Sequence, residues 1–588
     1  MSFATYDLFT NEEFDVYSQI ISYMNEINRL KDNGENEEAK PLIEKKRNCQ
    51  RQLEELIKSH KGIPRIVRLE SVLDTRKLVD ENGEVAYPSG LSWDKLRMSK
   101  KIAEFTSEES RAMGLKHLDV TYDKIILKWK NVDLLEQLVL DGFIVPILME
   151  DGTVDMRHYR VVTASAGQLR TDKIQAVSDV MWEKIRNQME CGMTEDILNA
   201  HKGINLGKLM AYRALPSSAT EESSINIDEC IVIPDWEGSR TGDLNYITQE
   251  YEIERGIRTV KGINFIDGGG ICEPGILDCG NAMCRGPYLK GLLSEFAFIE
   301  WCDENKCEAV IKDVWGQEHD LKKENIRVMF TASQLKLWKY YDDWDHYKRC
   351  FKENNCHICL TNYEEDWIKD TEVNYQFLQD LNMTDEEIEE FTQATHNKIE
   401  LITSNKEAML KTLGADEHAE SPYQQALYLY PELLREAYSR DTLKAIKKRW
   451  IYDAKSGCIK CANKRLFVIP DWYAACEYYF LHKENPEGLL KDGEVYAKLF
   501  ERHDEADVLR SPHLSFEHAI RKFNHSDECR KWFRTKGIYV SYRDFLDRIL
   551  QLDFDGDQLN VVTDKTIIAA AKRKAKEINF APLEKIVA

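Results

Sequence analysis

QLDFDGDQLNVV, residues 551–562, places Asp553, Asp555 and Asp557 at alternate positions inside an apolar frame. No Lys or Arg lies between Arg548 and Lys565. Along an extended strand, positions i, i+2 and i+4 point to one side. Gly556 adds a tight bend that gathers the three carboxylates around one point. Like charges ~4 Å apart repel by roughly 4 kcal/mol per pair at an effective dielectric of about 20. A cation must therefore occupy the centre when all three are ionised. A hard divalent ion, Mg²⁺ or Mn²⁺, takes carboxylate oxygens and keeps positions for water and phosphate. An EF-hand loop fits badly, because its sixth and twelfth positions, counted from Asp553, hold Gln558 and Asp564 instead of Gly and Glu. A solvated acidic turn is the bland alternative. The apolar flanks RILQL and LNVV argue for a loop set in a core.

The chain around this loop has 588 residues, enough for two to four domains. Its hydrophobic share of 43% and charged share of 31% are those of a globular protein. The start MSFATYDLFTNEEFDVYSQ shows no basic segment followed by an apolar core, so no secretory signal is read there. No apolar run reaches the roughly 18 residues of a membrane helix. Fifteen scattered cysteines fit a reducing cytoplasm better than a disulfide scaffold. The net charge of −22 argues against a protein that simply coats nucleic acid. Residues 364–390 hold eleven Asp/Glu against one Lys, yet KAIKKRW (444–450) and RKWFRTKG (530–537) are basic with aromatics interleaved. A local positive groove and an ordinary solvated face are equally good readings of each basic patch.

Glu, Lys, Leu and Ile at helical spacing predict a helical hairpin over 11–60, broken at KDNGENEEAKP. Short apolar runs with Gly/Pro breaks predict strands and turns over 61–160, and a helical stretch follows around 171–195. From 205 to 335, β-rich runs alternate with Gly-bearing turns. Residues 335–445 read as helical, with Thr384 and Glu387 forming a capping-box pattern. Short β-like runs return from 450 to 565. VIPDW occurs at 232–236 and again at 468–472, each time ending a β-branched run. Five identical residues weigh equally for a duplicated unit and for coincidence. CHIC (356–359) and CIKC (458–461) lie about a hundred residues apart and read as ordinary thiols before a zinc site. GINLGKL (203–209) lacks the spacing and the Ser/Thr of a phosphate loop.

DFDGDQ resembles the metal-binding loop of the two-barrel RNA polymerases. That superfamily includes the multisubunit cellular enzymes, the RNA-dependent RNA polymerases of eukaryotic RNA silencing, and single-chain YonO-like and crAss-like phage enzymes. LRSPHLSFEHAIRKF (509–523) resembles the Arg-x-Pro-x-Leu segment that precedes the aspartates. By that match Arg510 would contact the incoming nucleotide or the RNA end. FIDGGGICEP (265–274) resembles the Asp-Gly-x-Gly turn of the lysine-bearing barrel. CRGPYLKGLL (284–293) resembles its Lys-Gly motif and FTASQLK (330–336) its Ser-x-x-Lys segment. Lys290 and Lys336 would then be catalytic cations near the reacting phosphates, with Arg285 a substrate-binding residue. The phage branch matches best. DVWGQEHDL (313–321), WDHYKRCFK (344–352) and VNYQFLQDL (373–381) are similar to its linker between barrels, and TASAGQLRTDK (163–173) to the segment before the first barrel.

The resemblance covers roughly residues 160–588, the first 150 being more weakly matched. It implies an α+β fold of two double-psi β-barrels joined by a helical linker. The expected parts are an N-terminal helical and mixed region (1–160), a lysine-bearing barrel (161–340), a helical linker (341–445), an aspartate-bearing barrel (446–565) and the start of a C-terminal region (566–588). The implied activity is DNA-dependent RNA synthesis by two-metal nucleotidyl transfer. Asp553, Asp555 and Asp557 would be the metal ligands, for two Mg²⁺ ions with Mn²⁺ as a substitute. The implied partners are a DNA template, nascent RNA and NTPs, with no membrane and a monomeric chain, in the cytoplasm of a bacterial host. Synthesis on RNA is the same-class rival, and a non-catalytic nucleic-acid-binding remnant the other; a hydrolytic metal enzyme gives no reason for two lysines in a separate barrel. The chain stops 31 residues after Asp557. Family members continue there into a bridge helix and trigger loop, so a truncated or split product is expected.

Overall fold

A computed structural model describes residues 173–584, apart from 202, 217–220, 366–367, 417–418 and 420. Before them it describes parts of 16–59 and residues 68–70, 78–79, 85–86, 124–128, 142–148, 154–165 and 167. Two compact units divide the chain. The first comprises Met1–Asp228, Cys284–Lys290 and Leu335–Thr361, and the second Glu229–Met283, Gly291–Gln334 and Asn362–Ala588.

In the first unit, helix α1 (Asn36–Ser59) packs Ala39, Leu42 and Ile43 against Tyr23, Ile27 and Leu30, which is the expected hairpin. The helix begins inside the polar stretch expected to be the turn. Strands β1 (Arg68–Glu70), β2 (Lys124–Lys128), β3 (Phe143–Leu148), β4 (Val154–Thr163) and β5 (Lys173–Ser178) form an antiparallel sheet in the order β1-β2-β5-β4-β3. Residues 173–178 are thus a strand where the sequence predicts helix. They lie between β2 and β4, and Gln175–Ser178 are all buried, so sheet pairing outweighs the helical spacing. Only α2 (Asp179–Glu190) is helical there, capped by Ser178, whose Oγ accepts the Met181 N–H at 3.2 Å.

The second unit opens with β6 (Cys230–Ile233), the hairpin β7 (Glu237–Ile247) and β8 (Ile253–Asn264), and β9 (Gly269–Cys272). Strand β10 (Val328–Thr331) runs parallel to β6 and antiparallel to β9. The stretch expected to be helical contains strands at Cys359–Tyr363 and at β11 (Asp370–Val373), the latter held by an antiparallel partner in Ile459–Pro470. Helices α3 (Asp385–Leu401), α4 (Lys406–Thr412), α5 (Pro422–Leu429) and α6 (Ala437–Lys455) follow. The capping box forms as read: the Thr384 Oγ1 accepts from the Glu387 N–H at 3.3 Å, and the Thr384 N–H donates to Glu387 at 2.8 Å.

Strands β12 (Ile459–Pro470), β13 (Glu494–Tyr496), β14 (Glu505–Leu509), β15 (Ala519–Phe523), β16 (Ile538–Val540) and β17 (Gln558–Val562) then close into a six-stranded barrel. The order is β12-β16-β13-β15-β14-β17, with β17 returning to β12. Leu466, Val468, Val508, Ile538 and Leu559 fill its interior. Helix α7 (Trp472–Leu481) follows β12, and α8 (Lys565–Glu577) follows β17. Both VIPDW copies end a strand that runs parallel to a later one: Val232 and Ile233 face Phe330 and Thr331, while Val468 and Ile469 face Ile538 and Tyr539. In each copy the Trp is buried, as Trp236 and Trp472. Among the described residues no helix is long and apolar enough to cross a membrane.

Candidate active site

The aspartate loop joins the short helix Leu546–Ile549 to β17. Leu552 and Phe554 enter the barrel core, 9% and 7% exposed, while Asp553, Asp555 and Asp557 stay half-buried. Burying each apolar side chain contributes about 1.5–3 kcal/mol. That anchors the alternation which turns the carboxylates away from the core. The loop is also tied internally. The Asp553 N–H donates to Asp557 Oδ2 at 3.0 Å, and the Asp555 N–H to Asp553 Oδ1 at 3.3 Å. Gly556, at φ 125°, makes the bend.

The Asp-Gly-x-Gly turn lies directly against this loop. The Phe554 N–H donates to the Asp267 carbonyl at 2.7 Å. Gly268 has a φ of 78°, and a Cβ there would stand 2.4 Å from the Asp555 Cβ. Only glycine fits both the left-handed backbone and the close approach. A brace holds Gly268 from behind: its N–H donates to Ser333 Oγ at 2.8 Å. The Ser333 N–H and hydroxyl in turn donate to Asp235 Oδ1 at 3.1 and 2.8 Å. Asp235 belongs to the first VIPDW, and its counterpart Asp471 caps α7, accepting the Ala474 N–H at 3.0 Å. Sequence reasoning missed the brace; the shared Asp of the repeat was the available signal.

Arg510 supplies the cation that the sequence around the aspartates lacks. Its Nε lies 2.8 Å from Asp557 Oδ2, and its Nη2 donates to Asp557 Oδ1 at 3.1 Å. Expected as a nucleotide contact, it stands in this structure as a bidentate partner of a carboxylate. Asp553 keeps the unbalanced environment. Burial first, then the charges of Asp555 and Asp557, push its carboxyl up to about 7. Asp553 and Asp267 also line a cavity of about 960 Å³ that takes in Glu517, Arg548 and Phe580.

Among the described residues no group of three or more His, Cys, Asp or Glu side chains is arranged to hold a metal ion. Both Asp557 oxygens are engaged, by Arg510 and by the Asp553 N–H. The donor set still fits a hard divalent cation. Three carboxylates fall within five residues, and Asp553 is held toward its protonated form by burial and like charge.

Lys290 and Lys336 lie in the first unit, which brings them onto adjoining antiparallel segments. Leu289 bridges Leu335, and the Lys336 N–H donates to the Tyr288 carbonyl at 2.8 Å. Both lysines are half-buried. The WDHYKRCFK helix steadies their segment, for the Tyr347 hydroxyl donates to the Pro287 carbonyl at 2.9 Å. Arg285 is buried, and its Nη1 donates to the Cys284 carbonyl at 2.8 Å. In the second unit Gly291, the residue after Lys290, passes so near that a Cβ would stand 2.3 Å from the Gly268 carbonyl oxygen. The Lys-Gly pair therefore has a steric reason for its second member. Cys356, Cys359, Cys458 and Cys461 form no disulfide.

Over 535 residues, 90% of its length, the chain is 35% identical to the DNA-directed RNA polymerase YonO of Bacillus phage SPbeta. The chain is thus similar to that polymerase over most of its own length. It spans 62% of the length of YonO. No family model matches. Among solved structures, the RNA-dependent RNA polymerase QDE-1 from Thielavia terrestris aligns with a TM-score of 0.44 and 11% identity, over 73% of this chain and 46% of that one.

Proposed function

We propose that this chain makes RNA on a DNA template by nucleotidyl transfer, and that its fold comprises two double-psi β-barrels. The observation that carries the reading is the long match to YonO together with an intact aspartate loop seated on the Asp-Gly-x-Gly turn. The closed six-stranded barrel supports one of the two barrels, and the matched roles of the VIPDW copies support a second of common origin. Asp553, Asp555 and Asp557 would hold two Mg²⁺ ions, Asp557 exchanging Arg510 for the metal. Bound Mg²⁺, with Mn²⁺ as a substitute, supplies the charge that lowers the pKa of the RNA 3′-hydroxyl and steadies the leaving pyrophosphate.

The remaining work belongs to the chain's own side chains. Arg510, once released, takes a phosphate or the RNA end with the same planar fork that now grips Asp557. Lys290 and Lys336 offset phosphate charge, in a reaction whose catalysis is mainly positioning and electrostatics. Gly268 and its Ser333–Asp235 brace fix the height of Asp555. The template, nascent RNA and NTPs are the partners, and a monomer in the cytoplasm of a bacterial host is the setting. The test is labelled NTP incorporation with Mg²⁺ on single-stranded DNA and, in parallel, on RNA. Product on DNA that disappears in Asp555→Ala is expected. Product on RNA alone would replace the reading with RNA-dependent synthesis, and no product on either template would contradict it.

A further inference from the structure

Helix α6 carries the basic run KAIKKRW, and its outward face has a composition the catalytic site does not use. Ser439 and Leu443 are buried, and Ile446 and Trp450 pack with Ile402, Leu413 and Leu427 on the inner side. At 3.6 residues per turn, the other side is an arc of about 140°. That arc displays Tyr438, Lys444, Lys448, Arg449, Tyr452 and Lys455, all exposed. Tyr438 and Tyr452 are 68% and 72% exposed, about 21 Å apart along the axis and on one side of the helix.

Two features set this face apart from an ordinary solvated helix. Residues 435–455 hold seven Lys/Arg against three Asp/Glu, in a chain whose net charge is −22. Asp441 offsets one of the four cations of the arc, through a 3.3 Å contact with Lys444 in which both side chains are over 70% exposed. Arg449 lies 3.6 Å from Asp453. Exposed pairs of this kind are worth about 0–1 kcal/mol and leave the cations able to change partners. The second feature is the rings. Two largely exposed tyrosines on one helical face, near cations, match what unpaired bases and their phosphates need, Tyr438 being steadied edge-on against Tyr423 at 5.1 Å between ring centroids.

We propose that the outward face of α6 binds a single-stranded polynucleotide, its bases stacking on Tyr438 and Tyr452 and its phosphates neutralised by Lys444, Lys448, Arg449 and Lys455. A duplex presents the phosphates but not the base faces, so the tyrosines distinguish the two. The site is independent of the polymerase reading, because binding here needs neither Mg²⁺ nor NTP.

The test uses the full chain without Mg²⁺ and measures fluorescence anisotropy of labelled oligo(dT), oligo(U) and a DNA duplex. The double variant Tyr438→Ala/Tyr452→Ala is expected to bind both single strands about tenfold or more weakly, with duplex affinity unchanged. The quadruple variant Lys444→Ala/Lys448→Ala/Arg449→Ala/Lys455→Ala is expected to lower the slope of log affinity against log salt by about 3. A loss confined to oligo(dT) or to oligo(U) supports the site and names the strand it prefers. Parental affinity and slope in both variants would overturn it. A second measurement does not depend on the variants folding: photocrosslinking of a 5-iodouracil oligonucleotide to the parent chain. Adducts within 437–455 are expected, and adducts found only outside that helix would also overturn the proposal.

Discussion

Replacing Gly268 by alanine tests whether the Asp-Gly-x-Gly turn sets the position of the aspartates. A Cβ at this position would stand 2.4 Å from the Asp555 Cβ, 2.9 Å from its Cα and 3.1 Å from its N. Ordinary carbon contacts lie at about 3.5–4.0 Å, so the aspartate loop must retreat by about 1 Å. Two costs add. The left-handed φ of 78° is worth about 1–2 kcal/mol for an L-residue, and overpacking a close contact about 1–3 kcal/mol more. Stability should therefore fall by about 2–5 kcal/mol. Turnover should fall by about a hundredfold, the usual consequence of a 1 Å misplacement at a reacting centre. Gly275→Ala is the matched control, because Gly275 has a φ of 83° and no atom within 4 Å of the built Cβ. It should cost about 1–2 kcal/mol and leave turnover at the parental rate. Urea unfolding followed by circular dichroism gives the first quantity, and NTP incorporation under saturating template the second. Parental turnover in the Gly268→Ala protein would refute the positioning role; an equal activity loss in both variants would show that strain alone is responsible.

Arg510→Ala leaves the Asp557 carboxylate without its bidentate partner, so the metal-free chain should lose about 2 kcal/mol, and added Mg²⁺ should restore more stability than it does in the parent; identical unfolding curves would contradict the ion pair. Lys290→Ala should lower turnover more than template affinity, and the reverse pattern, read from anisotropy and incorporation side by side, would assign the lysine to template binding. Asp471 gives a pH prediction. Burial pushes its carboxyl up to about 6, from 3.8 in a model carboxyl, although the N–H groups of Ala474, Leu489 and Leu490 oppose the shift. A raised folded value favours the protonated fold, so this contribution to stability is present in full below about pH 4 and is lost as pH rises through 6. Relative to Asp471→Asn, the parent should lose about 3 kcal/mol between pH 4 and 7; a difference that stays constant with pH would contradict it.

The local features were legible because local chemistry decides them. The alternation of 552–557 told that Leu552 and Phe554 are buried while Asp553, Asp555 and Asp557 are less so, and the capping box at Thr384 told where α3 begins. Residues 173–178 were misread because a strand between β2 and β4 is decided by its neighbours. The strands at Cys359–Tyr363 and β11 were misread for the same reason, for β11 is held by β12 nearly ninety residues on. The missing cation was the least legible element. It comes from Arg510, at the end of β14, and only barrel closure brings β14 beside β17. The Asp235–Ser333–Gly268 brace is of the same kind, being assembled from three separated stretches of chain.

The most direct measurement is iron-directed cleavage of the chain. Fe²⁺ in place of Mg²⁺, with ascorbate and peroxide, produces hydroxyl radicals that cut backbone close to the bound ion. A cation held by Asp553, Asp555 and Asp557 predicts cuts at 553–557 and at the adjoining turn 266–269, competed away by Mg²⁺ and absent in Asp555→Ala. Cleavage centred elsewhere, or cuts that persist unchanged in Asp555→Ala, would contradict a metal at the aspartate loop.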